Sequence, residues 1–206
     1  NAGHPTPGSP VGSAAVYWQL NEGRGTTAHN SGYSSLNGNI SGASWTSSGK
    51  IDKAIETTGG TDYISAGDTS LLDGSTAMTV SLWVKPSALA VNRYIFQKYD
   101  FSSMSNAFRI ATDATNSDEL RFSIASSLTD DENNLLVTSD ANLQTDTWYH
   151  LTFVYDGAQP TASNRAKIYK DGQLLTSTMT GTIPVVMTTG STGSLGVADV
   201  TGNNQA

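Results

Sequence analysis

The chain has 206 residues, of which 37% are hydrophobic and 14% are charged, and it contains no cysteine. The absence of cysteine excludes thiolate zinc sites, thiol nucleophiles and disulfides. The formal net charge is −7, and the 11 lysines and arginines are scattered along the sequence, whereas binding to a phosphate backbone requires several cations on one surface. We therefore expect no nucleic acid partner, and no apolar run is long enough to predict a membrane span.

The first 13 residues hold three of the six prolines and resemble a linker or a processed N-terminus. Residues 14–206 are expected to form a single domain, because this length suits one large β-sandwich. Abundant Gly, Ser, Thr and Asn favour short strands joined by polar turns. This acidic, cysteine-free composition is typical of exported bacterial proteins, so we expect an extracellular or cell-surface location.

Alternation of apolar and polar residues recurs along the chain and predicts β-strands. It is clearest in the segments 78–85 and 148–155. The residues predicted to share the core-facing side are Met78, Val80, Leu82 and Val84 in the first segment, and Tyr149, Leu151, Phe153 and Tyr155 in the second. The shorter segments AVYWQL, RYIFQK, AFRIAT, LRFSIA and RAKIYK carry the same pattern.

The pair Asp171-Gly172 predicts a tight hairpin turn, since both residue types accept positive φ values. The flanking segments 165–170 and 173–178 are expected to pair antiparallel. In contrast, the polar stretches 113–119 and 128–134 predict exposed loops. The total is about twelve strands, which indicates an all-β fold with two antiparallel sheets, a jelly-roll sandwich.

Five segments, in this order, resemble laminin-G-like domains, which are concanavalin A-like jelly rolls. They are YWQLNEGRGTTAHNSG from Tyr17, GKIDKAIETTGGTDYISAGD from Gly49, MTVSLWVKP from Met78, TWYHLTFVYD from Thr147 and IYKDGQLL from Ile168. The resemblance implies a concanavalin A-like fold. On the usual behaviour of these residue types, Trp83, Trp148 and His150 are expected to pack in the core or on a sheet face.

Domains of the resembled family end with a strand of the type G-x-I-D-E-V-R-I-Y-N, whereas this sequence ends at GSLGVADVTGNNQA. The resemblance implies that the chain is a fragment, that the last strand lies in a piece not included here, or that a neighbouring molecule supplies it. A sheet edge without its partner strand exposes unpaired N–H and C=O groups. Self-association through this edge into a surface filament or layer is therefore an alternative hypothesis for the function.

An enzyme of the glucanase or lyase type is the least favoured hypothesis, and catalysis is not expected. Glucanases that share this architecture carry the pattern E-x-D-x-x-E, which is absent from the sequence. Asp130 and Glu132 have the spacing that places two carboxylates on one strand face, but their flanks are polar and would not raise a carboxyl pKa. The histidines His4, His29 and His150 form no zinc-binding spacing, and no G-x-S-x-G motif occurs.

Calcium is the expected ion, because laminin-G-like and pentraxin-like domains often hold it in loops and because its ligands are hard oxygens. The resemblance implies one candidate site at Asn30 and Asp62, and another at Asp100, Asn106 and Asp199.

Sugar binding requires an aromatic ring beside planar polar groups. The residues predicted for it are Tyr33, Tyr99, Asn133 and Asn134. The main hypothesis is a non-catalytic extracellular module that binds a glycan or another cell-surface component.

Overall fold

The computed structural model describes residues 14–59, 62–100, 105–127 and 133–198. It contains fifteen strands and one short 3₁₀ helix, Ala162–Asn164. The strands are β1 Thr27–Ala28, β2 Gly38–Ser41, β3 Ser44–Thr46, β4 Ala54–Glu56, β5 Tyr63–Asp68, β6 Ala77–Val84, β7 Tyr94–Asp100, β8 Ser105–Thr112, β9 Leu120–Ile124, β10 Leu135–Thr138, β11 Tyr149–Asp156, β12 Ala166–Lys170, β13 Gln173–Leu174, β14 Ser177–Thr180 and β15 Ser194–Ala198. In this part of the chain, no helix is long and apolar enough to cross a membrane.

The strands form two main antiparallel sheets and a small hairpin. The large sheet has nine strands in the order β1-β2-β5-β15-β7-β8-β9-β10-β14. The small sheet has four strands in the order β13-β12-β11-β6, and β3 pairs with β4. The predicted all-β, two-sheet antiparallel architecture is confirmed. The fifteen strands exceed the predicted twelve because very short strands such as β1 and β3 have no sequence alternation to reveal them.

The core lies between the large and small sheets. In β11, buried and half-buried residues alternate without exception, and the buried set is the one predicted from the sequence. In β6 the predicted inward residues are likewise less exposed than their neighbours. Phe122 of β9 meets Phe153 of β11 edge to face, with ring centroids 5.6 Å apart, so the two sheets contact each other through aromatic rings.

A second, smaller apolar cluster lies around Ile40 and Ile64, at the β1–β2 end of the large sheet. Trp18 packs against it, and its Nε1 donates a hydrogen bond to the carbonyl oxygen of Leu36 at 2.9 Å. The strand predicted for residues 15–20 is wrong, because this segment forms only an isolated bridge between Trp18 and Asn30. Side-chain hydrogen bonds replace the strand ladder here, and Leu20 has a φ of +54°.

The Asp171-Gly172 turn is confirmed, with φ values of +51° and +81° at its two residues. It joins β12 to β13, which pair antiparallel as predicted. The expected second strand is nevertheless shorter, because β14 leaves the small sheet and pairs with β10 in the large one. The chain crosses between the sheets at Thr176, whose N–H donates to the carboxylate of Asp140 at 3.0 Å.

Lys98 is a fully buried lysine on the core side of β7. Its ammonium lies 3.6 Å from Asp68 Oδ1 and 3.9 Å from Asp73 Oδ1, and it donates a hydrogen bond to the carbonyl oxygen of Ser191. Burial lowers the pKa of Lys98, and the carboxylates of Asp73 and Asp68 oppose that shift. One cation thus joins the 68–74 and 188–193 segments to the centre of the large sheet.

The segment 113–119 is a loop, but the prediction that it is exposed is wrong at its ends, since Asp113 and Glu119 are buried. Glu119 Oε2 accepts hydrogen bonds from the Thr138 hydroxyl and from the N–H of Ala141 at 2.9 Å. Asp113 Oδ2 accepts three bonds, from the N–H and hydroxyl of Thr115 and from the N–H of Asn116. Sequence polarity did not reveal that these carboxylates satisfy donors inside the fold.

We expect the variant Asp113→Asn to be less stable than the parent protein at neutral pH by about 1 kcal/mol. Burial raises the pKa of Asp113, but the Thr115 hydroxyl and the backbone N–H groups lower it more, so the net shift is downward. A carboxyl whose pKa is lowered on folding contributes stability above its unfolded pKa of about 3.9 and loses that contribution as the pH falls through the folded value. Urea denaturation of both proteins between neutral and acidic pH should therefore show a difference that shrinks below about pH 4. A difference independent of pH would contradict this assignment.

Candidate functional site

The outer face of the large sheet carries an unusual group of polar side chains. The alternate residues of β8 and β9, among them Phe108, Ile110 and Phe122, point into the core. The intervening residues therefore project from the opposite side. Registers place Gln97, Arg109 and Ser123 in one cross-strand row, and Tyr94 and Arg121 in a second row on either side of Ala111. Together with Tyr99, whose ring Arg109 contacts, we call these residues the polar face: Tyr94, Gln97, Tyr99, Arg109, Arg121 and Ser123.

The guanidinium of Arg109 lies at the centre of the polar face. Its central carbon is 3.3 Å from the ring centroid of Tyr99 and 4.9 Å from that of Tyr94. These distances correspond to cation–π contacts, which hold the guanidinium in a fixed orientation. Arg121 is fixed as well, since its Nη2 donates to Asn92 Oδ1 at 3.0 Å. The polar face is therefore an ordered layer.

Buried polar atoms of this layer lack hydrogen-bond partners in the described part of the chain, and Gln97 and Ser123 each carry one. Gln97 is 6% exposed and Ser123 is 1% exposed, yet Gln97 Oε1 and Ser123 Oγ have no partner in the described part of the chain. An unsatisfied buried polar atom costs about 1–3 kcal/mol. The two residues lie two strands apart, a spacing of roughly 10 Å across Arg109. The row therefore holds an acceptor and a hydroxyl whose hydrogen-bonding capacity is unused within the described part of the chain.

Of the residues predicted to bind sugar, Tyr99 lies in the polar face, but it is not an exposed ring. It is 4% exposed, and Arg109 contacts its ring. Tyr33 is 70% exposed in the loop after β1, at the edge of the large sheet, and the structure does not bring it to the polar face. Asn134 lies at the same end of the sheet as Tyr99, next to β10, which is three strands away from β7.

Asn133 and Asn134 belong to the connection before β10. The Asn134 side chain accepts from the N–H of Thr182 at 2.8 Å and donates to Ser126 Oγ at 3.1 Å. Gly181 lies directly against the carbonyl oxygen of Asn133, since a Cβ placed there would be 2.1 Å from it. These contacts join neighbouring segments of the fold, so they indicate a structural role for Asn133 and Asn134.

The structure does not bring together Asn30 and Asp62, the first predicted pair of calcium ligands. Asn30 lies near Asn37, whereas Asp62 lies near Gly42, so the length of β2 separates them. The Asn30 Oδ1 already accepts hydrogen bonds from the N–H groups of Tyr17 and Gly32, at 2.7 and 2.8 Å. Asp62 Oδ2 likewise accepts from the N–H and the hydroxyl of Thr58. These oxygens therefore hold segments of the backbone together within the fold.

The second predicted calcium site is only partly within the described residues. Asp100 and Asn106 lie on the adjacent strands β7 and β8, at the end where Tyr99 pairs with Asn106. Asp199 lies outside the described residues, as do Asp130 and Glu132. Ala198, the last described residue of β15, pairs with Tyr63, whereas the opposite end of β15 pairs with Tyr99. Within the described ranges, no three His, Asp or Glu side chains converge as a metal-binding group.

Sequence reasoning missed Gln97, Arg109, Arg121 and Ser123. A signal for them was present, because polar residues alternate with core residues in RYIFQK, AFRIAT and LRFSIA. Alternation alone places such residues on an outer face. It does not show that neighbouring strands align them in one row, or that their atoms are enclosed.

Comparison with known proteins agrees with this architecture. No curated protein matches the chain. Its fold is similar to that of domain 4 of AbnA, a GH43 extracellular arabinanase from Geobacillus stearothermophilus, solved in complex with arabinotriose. The identity is 22% and the TM-score is 0.50, over 76% of this chain and 66% of that one. The family model Laminin_G_3 matches residues 58–205, and the chain therefore belongs to the concanavalin A-like lectin/glucanases superfamily.

Proposed function

We propose that this chain is a non-catalytic, extracellular glycan-binding module and that its polar face contacts the glycan. The observation that carries the proposal is the pair of enclosed polar atoms without partners, Gln97 Oε1 and Ser123 Oγ. Buried polar atoms in folded proteins are nearly always satisfied, so each of these atoms is expected to take a partner from outside the chain, either a water or a ligand hydroxyl. Sugar hydroxyls donate and accept, and they suit both atoms.

The shape of the polar face also favours a glycan. Arg109 stands between Gln97 and Ser123 and is held by two tyrosine rings, so the donors and acceptors along the row have fixed positions. Fixed polar groups lose little entropy when a ligand binds. The similar AbnA domain was solved with arabinotriose, which makes a short arabinose oligosaccharide the first ligand to test.

A binding role is favoured over catalysis because glycosidases use a pair of carboxylic acids that flank the scissile bond. None of the six side chains that define the polar face is a carboxylate. We retain Asp100 and Asn106 as candidate calcium ligands, because they lie on adjacent strands beside the polar face.

We expect Gln97→Met and Ser123→Ala to be as stable as the parent protein, or more stable by up to about 1 kcal/mol. Each substitution removes a buried polar atom that makes no hydrogen bond, so the desolvation cost is lost and no bond is broken. Free energies of unfolding from urea denaturation measure the effect. The matched control is Thr138→Val, which removes a buried hydroxyl bonded to Glu119 and to the N–H of Leu120. The control should lose about 1–2 kcal/mol. An equal loss in Ser123→Ala would show that Ser123 has a structural partner.

The same two variants should bind arabinotriose more weakly than the parent protein, by about fivefold to thirtyfold each, since each loses one enclosed hydrogen bond to the ligand. Isothermal titration calorimetry, with calcium and with a chelator, measures the dissociation constants. Thr152→Ala, on the outer face of the small sheet, serves as the control and should bind as the parent does. If the parent binds neither arabinotriose nor any member of a panel of neutral oligosaccharides, the proposed function is wrong.

A further inference from the structure

A second group of side chains with ligand-binding chemistry lies on the opposite side of the sandwich. It occupies the outer face of the small sheet, at the edge formed by β6. Trp83 and His150 face each other across β6 and β11. Lys85 follows the last residue of β6 and Trp148 precedes the first residue of β11, and the Lys85 ammonium lies over the Trp148 ring. Lys50 reaches this face from the loop between β3 and β4. We call these five residues the Trp–Lys cluster.

The cluster is closely packed. The ammonium of Lys50 is 5.0 Å from the ring centroid of Trp83, and that of Lys85 is 5.7 Å from the ring of Trp148. The imidazole of His150 lies 5.1 Å from the Trp83 ring, and its Nε2 is 2.8 Å from Ser81 Oγ. Diagonal neighbours on two antiparallel strands are about 7–8 Å apart, so the two indoles flank one shared surface.

The indole of Trp83 is accessible to solvent, and that of Trp148 is half-buried. Trp83 is 41% exposed, although an exposed tryptophan is unusual on a folded protein. Lys50 and Lys85 are exposed as well. The surface therefore offers aromatic rings and ammonium groups to solvent at the same time.

The charge of the cluster is opposite to that of the protein. The formal net charge of the chain is −7, yet two lysines meet here around two tryptophans. Among the described residues, the ion pairs belong to Lys98, in the core, and none involves Lys50 or Lys85. Asp171 contacts the cluster through the backbone N–H of His150. The ammonium charges are therefore available to an anionic partner.

We propose that the Trp–Lys cluster is a second binding site, which takes a polysaccharide that carries carboxylate or sulfate groups. Indole rings can stack on the apolar faces of sugar rings. The two ammonium groups can bind the acidic substituents of the same polysaccharide. Two cations are few for a nucleic acid, which is bound by neutralising many phosphates. The site goes beyond the polar face, because it lies on the other side of the sandwich and requires a different ligand chemistry.

The test is a titration followed by tryptophan fluorescence, since two of the four tryptophans belong to the cluster. The probes are polygalacturonate, dextran sulfate and neutral dextran. If only polygalacturonate binds, the ligand carries carboxylate groups. If only dextran sulfate binds, the ligand carries sulfate groups. If both bind, the cluster is a general site for acidic polysaccharides. We expect the affinity to fall with rising ionic strength, because exposed charges are screened by salt. Neutral dextran should not bind through this cluster.

The double variant Lys50→Gln/Lys85→Gln should lose about fivefold or more in affinity, since each exposed ion pair contributes up to about 1 kcal/mol. Lys167→Gln is the matched control, because Lys167 is exposed on β12 of the same sheet, away from both indoles. It should bind within about twofold of the parent, as expected for a distant surface charge.

Equal binding by the double variant and the parent would overturn this proposal, as would equal binding of neutral dextran. Binding of a single-stranded oligonucleotide as tight as that of the polysaccharides would also overturn it. Gln97→Met should keep its affinity for the acidic polysaccharide. Failure to bind arabinotriose and every other neutral oligosaccharide of the panel would therefore refute the polar face alone, and failure here would refute the Trp–Lys cluster alone.

Discussion

The contact between Phe122 and Phe153 shows the constraint on which the structure depends, namely that two sheets bury one face of each strand against each other. Because side chains alternate along a strand, the residues that fill the core fix where the remaining residues project. Strands β8 and β9 give their apolar residues to the core and thereby align Arg109 with Ser123 on the outside. The same packing aligns Trp83 with His150 on the other side of the molecule. Both candidate sites are thus consequences of how the core is formed.

The two outer faces nevertheless differ in their energetics. On the large sheet, enclosed polar atoms lack partners, so the folded protein retains a cost that a ligand would remove. On the small sheet, the charges are exposed and solvated, so a ligand there gains little from desolvation and depends more on salt. Lys98 shows a third case, in which a buried cation is compensated by carboxylates and a carbonyl within the chain. The polar face and the Trp–Lys cluster thus carry polar or charged groups that a partner could bind, whereas the groups around Lys98 bind one another.

The sequence predicted the parts of the fold that depend on local pattern. Alternation in β6 and β11 and the turn at Asp171-Gly172 rest on neighbouring residues, and the structure confirms them. Segment 15–20 shows the limit, because its alternation is real but side-chain hydrogen bonds to Asn30 and Leu36 replace the ladder. The polar face could not be predicted, since it depends on the register of three strands. Asn30 and Asp62 resembled ion ligands in sequence, but their oxygens bind backbone N–H groups.

The placement of the two sites on opposite faces limits how one ligand can use them. Packed sheets are separated by about 10 Å, and the outer side chains add further thickness, so a short oligosaccharide cannot contact both sites. A long polymer would have to pass around the edge formed by β6 to reach the polar face. The gain from such bivalent binding depends on the length of polymer between the contacts and falls as that length increases. Two separate polysaccharides, one neutral and one acidic, need no polymer between the two contacts. The two proposals together therefore favour a module that joins two different polysaccharides over a module around which one polysaccharide wraps.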